Sequence, residues 1–212
     1  MTKTITLISL NFYPEDTAIG LYSTQMALHL KASGFKVQII TAFPYYPQWK
    51  IANSYKDKPA FYQETWQDMQ IYRYKQYTPA APTFLKRVWH IIDFTWGTYF
   101  NLNKIKDTDI VFSIIPFTAS AWLGQKLAKR KNAKHWVHIQ DFEFDAAFQT
   151  GLASDKGRSK GFLHNQLSKL ESRILNKADC VSTISTIMLE KLKSKTNTSN
   201  YLLPNWIDPN SI

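Results

Sequence analysis

A chain of 212 residues is long enough for one domain with a sizeable core, and 44% hydrophobic with 15% aromatic content excludes a mainly disordered polypeptide. Lys and Arg number 26 against 16 Asp and Glu, a net charge of +10, which together with the aromatic surplus points to an anionic partner: nucleic acid, a membrane surface or a phosphorylated substrate. The single cysteine, Cys180, excludes an intramolecular disulfide framework and a cysteine-rich zinc site.

Residues 5–10 are a short apolar run that reads as a buried strand. Ile19, Tyr22, Met26 and Leu30 follow at helical spacing, and Gly34 closes that helix. Residues 37–41 read as a second strand and 42–60 as a loop with Pro and Tyr. Residues 69–74 read as a strand with a hairpin partner at 62–66. Leu85, Val88, Trp89, Ile92, Trp96 and Tyr99 mark a long amphipathic helix. Residues 110–115 read as a strand, 118–131 as a helix with a basic last turn, and 136–139 as a strand. Leu163, Leu167, Leu170 and Ile174 mark another helix. Residues 181–184 are a strand, 186–195 a helix and 201–203 a final strand. This alternation predicts an α/β, doubly wound, mostly parallel sheet of about seven strands in one domain.

The N-terminus meets Asn and Pro too soon for a signal peptide. The longest uncharged run, residues 110–125, is 16 residues, is broken by Pro116, and falls short of the ~20 that a spanning helix needs. The expectation is a cytosolic protein that touches a membrane without crossing it.

In a doubly wound sheet the ligand sits outside the carboxyl ends of the strands. The first such loop, N-F-Y-P-E-D-T-A-I-G, has no dinucleotide or P-loop fingerprint, which argues against a nicotinamide or ATP enzyme. Gly20 at the helix start either receives a phosphate oxygen or only permits close helix–strand packing. The second loop, P-Y-Y-P-Q-W, offers Tyr45, Tyr46 and Trp49 either to a sugar or polyprenyl phosphate or to local packing. In H-I-Q-D-F-E-F-D, Asp141, Glu143 and Asp145 share one face if the segment is extended, so a cation, a substrate hydroxyl or a basic partner must offset their repulsion; the other reading is an acidic helix N-terminus. His135 and His138 face opposite ways on a strand, which predicts one core and one surface histidine rather than a metal site. No metal and no cofactor is expected.

The helix at 83–104 would span about 33 Å. Lys86, His90, Asp93, Asn101 and Lys104 form a narrow polar stripe, with apolar and aromatic residues over the remainder. One face must pack on the sheet. The surplus, with Trp89 and Trp96, either lies in a membrane interface with Lys86 and Arg87 on anionic headgroups or is covered by a partner domain.

F-Y-P-E-D-T-A-I-G-L-Y-S, T-A-F-P-Y-Y-P-Q-W, H-I-Q-D-F-E-F-D-A, A-D-C-V-S-T-I-S and L-P-N-W-I-D occur in that order. Together they resemble the N-terminal half of a retaining family 4 glycosyltransferase of the two-Rossmann GT-B fold, of the colanic-acid-biosynthesis type, over residues 4–208. The resemblance implies a Rossmann-like acceptor domain with helices on both sheet faces, while a C-terminal domain grips the nucleotide sugar. The family's E-x7-E signature is not present, so the expectation is that residues 1–212 are one domain, with the donor half absent and no turnover by this chain alone.

The resemblance further implies that Ala18, Ile19 and Gly20 approach the donor phosphates, with Ile19-Gly20 standing where many members have a double glycine. Gln140 takes the place of a common His, which moves the catalytic assignment to Asp141, with Glu143 second. Tyr13, Tyr45, Tyr46, Trp49, Gln140, Ser185 and Asn205 are the candidate acceptor residues. The implied activity is hexosyl transfer from a nucleotide sugar to a lipid-linked saccharide in bacterial surface polysaccharide synthesis, at the inner face of the plasma membrane. The rival readings are a non-catalytic module for a membrane or polyprenyl phosphate, and nucleic-acid binding. The even spread of basic residues, 12 in residues 1–106 and 14 in 107–212, speaks against nucleic acid.

Overall fold

The computed structural model describes residues 2–116, 118–142 and 158–205, with side chains in the last stretch from residue 165 onward. Eight strands form one sheet: β1 (Thr4–Ile8), β2 (Lys36–Ala42), β3 (Phe61–Trp66), β4 (Met69–Tyr74), β5 (Ile110–Ile115), β6 (Lys134–Ile139), β7 (Cys180–Thr183) and β8 (Ser199–Leu202). The order is β3-β4-β2-β1-β5-β6-β7-β8. Every pair is parallel except β3–β4, a hairpin closed by Gln67 and Asp68 at φ 49° and 56°. Two consecutive positive φ values give the turn the twist that a hairpin needs. This hairpin makes the count eight, as an edge of half-exposed alternation that covers β4.

Among the described residues five α-helices connect the strands: α1 (Ala18–Ala32), α2 (Phe84–Asn101), α3 (Thr118–Lys131), α4 (Arg158–Leu175) and α5 (Thr186–Lys195). Met26 and Ala27 of α1 pack on Ile5, Leu7, Val37 and Ile39, one face of the sheet. Phe94 of α2 and Leu123 and Leu127 of α3 pack on Ile8, Ile40 and Val111, the other face. Alternate residues of β1 and β2 thus point to opposite cores, as the pleat requires. α4 and α5 extend the second layer through Ile174, Leu175 and Leu192 against Val137, Ile139 and Val181.

The chain runs from β1 to β2 in one direction and then crosses to β5 on the other side of β1. The switch point therefore lies between the loops that follow β1 and β5, where doubly wound sheets bind their ligands.

One sequence expectation needs correction. His135 and His138 are both buried, at 2% and 1% exposure. β6 lies inside the sheet between β5 and β7, and both imidazole rings are packed away from water. The face of α2 that packs on the sheet is the one that carries most of its polar stripe. His90, Phe94, Gly97, Thr98 and Asn101 are the buried residues, whereas the apolar row faces outward. The inner face is polar because it meets polar partners. His90 Nδ1 lies 2.5 Å from the Tyr77 carbonyl, and the Asp93 carboxylate accepts from the Tyr74 hydroxyl at 3.1 Å and the Tyr77 N–H at 2.6 Å. Gly97 lets the Tyr74 ring in; a Cβ there would come within 2.2 Å of it.

Candidate active site

The loop after β1 is organised around a carboxylate that the sequence reading passed over. Glu15 is 6% exposed. Its Oε1 accepts the backbone N–H groups of Tyr45 (2.7 Å) and Tyr46 (2.8 Å), and its Oε2 accepts from Asn11 Nδ2 (2.8 Å). Burial pushes its pKa above the ordinary 4.5, against the lowering effect of the two backbone donors, Asn11 and the Arg73 charge. Glu15 also sets the identity of residue 20. A Cβ on Gly20 would lie 2.7 Å from Glu15 Cβ and 2.9 Å from its carbonyl oxygen. Gly20 thus serves close packing within the loop itself.

Ala18 opens α1 at φ 48°, in the left-handed region that favours glycine. Thr17, the residue before it, makes no side-chain cap, and α1 has no acidic residue in its first turn. Ala18, Ile19 and Gly20 therefore form an N-terminus with positive dipole character at the switch point.

A fully buried Arg73 fastens this loop to β2 and β3. It donates to the Tyr13 carbonyl (2.6 Å), to the Ala42 carbonyl (3.1 Å) and to Glu64 (2.5 Å), and its guanidinium lies 5.0 Å from the Tyr55 ring centroid. Tyr13 itself stacks on Trp66 at 4.1 Å, towards the hairpin edge.

The loop after β2 divides its aromatics. Tyr45 is buried against His90 (4.8 Å) and Trp49 (5.4 Å), and burial raises its hydroxyl pKa strongly. Tyr46 is exposed and Trp49 half-buried. His90 also packs on Trp49 at 5.6 Å, and Arg87 lies 5.2 Å over the same ring. Desolvation lowers the His90 pKa, and its Nε2 has no hydrogen-bond partner among the described residues. The inner side of α2 is thereby bound to this loop. On its outer side Leu85, Trp89, Ile92 and Trp96 are 76%, 56%, 50% and 68% exposed, with exposed Lys86 at their flank. Nothing among the described residues covers that row.

A second group sits at the ends of β6 and β8. Gln140 and Asn205 exchange two amide hydrogen bonds, 2.9 and 2.8 Å. Gln140 Nε2 is also 2.9 Å from His138 Nε2, while His138 Nδ1 meets Ser182 Oγ at 2.9 Å and Trp136 Nε1 donates to that oxygen at 2.8 Å. With Gln140 donating, His138 carries its proton on Nδ1 and is neutral. Its pKa is lowered by burial to about 4. Asp141, next in the chain, is exposed and its Oδ1 accepts the Phe142 N–H at 2.8 Å. Glu143, Asp145 and Trp206 lie outside the described residues. Ser185 caps α5, its Oγ accepting the Met188 N–H at 3.2 Å.

The candidates thus form two clusters on one edge of the sheet. Ala18, Ile19, Gly20, Tyr45, Tyr46 and Trp49 gather around Glu15 and α2; Gln140, Asp141 and Asn205 gather two strands away. No hydrogen bond joins the two clusters among the described residues. Glu15, Arg73 and His90 are the members that sequence reasoning missed. The available signal was an acid directly after Pro14 in the switch-point loop. Among the described residues no group of three or more His, Cys, Asp or Glu is placed to hold a metal ion, and no helix is long and apolar enough to cross a membrane.

A parallel doubly wound sheet with a residue cluster at its switch point defines a Rossmann-type domain. Residues 17–203 match the glycosyl transferase 4-like domain, and the chain belongs to that family of glycosyltransferases. It is 34% identical over 207 residues to the putative colanic acid biosynthesis glycosyl transferase WcaI of Escherichia coli K12. That match covers 95% of this chain and 50% of the relative, so the chain spans about half the relative's length. Two solved structures share the fold. Sucrose-phosphate synthase of Thermosynechococcus elongatus aligns with a TM-score of 0.60 at 16% identity, over 97% of this chain and 91% of the other. Arabidopsis thaliana UGT89C1, complexed with UDP, aligns with 0.55 at 10% identity, over 100% of this chain and 55% of the other.

Proposed function

We propose that this chain is the acceptor-facing domain of a retaining glycosyltransferase. The enzyme moves a hexosyl unit from a nucleotide sugar to a lipid-linked saccharide in bacterial surface polysaccharide synthesis, working at the inner face of the plasma membrane. Residues 1–212 supply the acceptor side, and a second domain grips the donor. The observation that carries this reading is the two-sided role of α2: its inner face holds the Tyr45–Trp49 loop through His90 and Arg87, while its outer face is an exposed apolar row with Lys86 at its flank. A saccharide tethered to a membrane lipid would meet that loop when α2 lies in the interface. Burying one large side chain of the row is worth roughly 1.5–3 kcal/mol, and each basic residue at an anionic surface about 1 kcal/mol.

The anomeric carbon–oxygen bond to the nucleotide phosphate breaks, and a bond to the acceptor oxygen forms on the same face. The acceptor's proton passes to the departing phosphate oxygen. Ala18, Ile19 and Gly20 present the positive end of α1 to the donor phosphates. Asp141, with Glu143 second, orients the acceptor hydroxyl and stabilises the positive charge that develops on the sugar ring. Gln140 and Asn205 hold each other beside it, and Tyr46 and Trp49 supply ring faces for the saccharide.

The test is a transfer assay on the complete gene product, with a panel of nucleotide sugars and lipid-linked acceptors. The expected result is transfer with retained anomeric configuration and a 10²-fold or greater loss of kcat in Asp141→Asn, on the order of what one electrostatic group contributes. Wild-type turnover in Asp141→Asn removes Asp141 from the mechanism. Vesicle binding with no transfer to any acceptor favours the non-catalytic lipid-binding reading, for which the exposed α2 row also speaks.

A further inference from the structure

α3 lies between α2 and α4 on one face of the sheet, and the outer surfaces of this layer differ in character. α2 presents its apolar row. Next to it, α3 and α4 enclose a groove of about 300 Å³. Trp122 and Leu170 line it together with four cations, Lys126 and Lys129 from α3 and Arg173 and Lys177 from α4. Among the described residues no Asp or Glu lines it. Among the described residues none of the four has an ion pair or a side-chain hydrogen bond; Lys126 alone has a contact of another kind, over the Trp122 ring at 5.3 Å. Other surface lysines of the chain do find carboxylates: Lys31 on Asp68, Lys134 on Asp179 and Lys193 on Glu190.

Four unpaired cations along one groove repel one another, and an anion relieves that repulsion. Lys and Arg side by side, one a point charge and one a planar fork, suit phosphate oxygens. An indole and a leucine in the same wall suit the apolar part of the same ligand. The groove is joined to α2, because Trp122 stacks on Tyr99 at 6.0 Å and Arg130 lies 4.6 Å over that Tyr99 ring.

We infer that the α3–α4 groove takes the headgroup phosphate of an anionic glycerophospholipid in the bilayer on which α2 lies. The inference rests on the membrane reading proposed above. It makes the interaction selective: the α2 row provides apolar attachment to any bilayer, and the groove provides preference for anionic lipid.

The test measures binding of the protein to vesicles of phosphatidylcholine alone and of phosphatidylcholine with phosphatidylglycerol. Wild type should bind the anionic vesicles at least about tenfold more tightly, a modest share of what four basic residues contribute at an anionic surface. K126Q/K129Q/R173Q/K177Q should lose that preference and keep its binding to neutral vesicles. The control K3Q/K36Q/K50Q/K56Q, equal in charge change but outside the groove, should retain most of it. R173E/K177E, at two exposed positions and with the same change of four charges, is the second variant and should lose the preference to a similar extent. Equal loss in the control overturns the inference in favour of diffuse charge. Binding of glycerol 3-phosphate in the groove, with lipid preference intact in the groove variant, overturns it in favour of a soluble phosphate. Wild type that binds neither vesicle defeats the membrane reading itself; wild type that binds both equally defeats only the groove.

Discussion

Glu15 Oε1 accepts the backbone N–H of Tyr45 at 2.7 Å across 30 residues of sequence, so one buried carboxylate fixes the distance between the loop after β1 and the loop after β2. Glu15→Ala leaves the N–H groups of Tyr45 and Tyr46 without their acceptor. The expected cost is about 2–4 kcal/mol of unfolding free energy in urea, because buried unsatisfied donors cost about 1–3 kcal/mol each. Glu15→Gln keeps one acceptor oxygen and should lose less than half as much.

The start of α1 gives a pair of opposite predictions. Ala18 holds φ 48°, which costs an L-residue roughly 1–2 kcal/mol, and glycine's greater unfolded-state entropy offsets part of that. Ala18→Gly should therefore stabilise by about 0.5–1 kcal/mol. Gly20→Ala places a methyl 2.9 Å from the Glu15 carbonyl and should destabilise by about 1–3 kcal/mol. Thermal melts of the two variants should move in opposite directions.

Arg73 is fully buried and serves three separate acceptors. Arg73→Met strips the Tyr13 and Ala42 carbonyls of their donor and leaves Glu64 uncompensated, at an expected cost of about 3–5 kcal/mol. Arg73→Lys should recover only a minor part, since an ammonium cannot span the three directions of a guanidinium. Equilibrium unfolding of both variants checks this.

Acid should weaken the domain through two histidines. Burial lowers both His135 and His138 from 6.5 to about 4, in His135 despite the opposing pull of the Asp179 charge. Above pH 6.5 both are neutral folded and unfolded, so they add no pH dependence. As pH falls from 6.5 towards 4 the unfolded chain binds protons that the folded one refuses, and stability drops by up to about 3 kcal/mol per histidine. His135→Gln and His138→Gln should each flatten the stability profile in that window. Profiles parallel to wild type would show that these histidines ionise in the folded protein.

Much of the fold was legible because strand and helix periods are local. Ile5, Leu7 and the β2 run announce buried strands, and Ile19, Met26 and Leu30 announce α1. The orientation of α2 was not legible. A helical stripe of Lys86, His90, Asp93 and Asn101 reads as a wet face, yet Tyr77, Tyr74 and the Tyr45 ring give His90 and Asp93 partners inside. The same limit hid Glu15 and Arg73, whose roles arise from contacts spanning 30 and 60 residues. Asp141 and Gln140 could be placed at a strand end from sequence, but the amide pairing of Gln140 with Asn205 depends on β6 and β8 ending at the same edge.

The most direct measurement compares transfer to two acceptors, one lipid-linked in a bilayer and one a water-soluble analogue with the same saccharide, for wild type and for Trp89→Ser/Trp96→Ser in the complete gene product. Both tryptophans are exposed on α2 and away from the Tyr45–Trp49 loop contacts. If α2 brings the site to the membrane, transfer to the bilayer acceptor should fall at least about tenfold, as expected when two large apolar side chains leave an interface, while transfer to the soluble analogue stays at the wild-type rate. Unchanged transfer to the bilayer acceptor, or an equal fall with both acceptors, would contradict it.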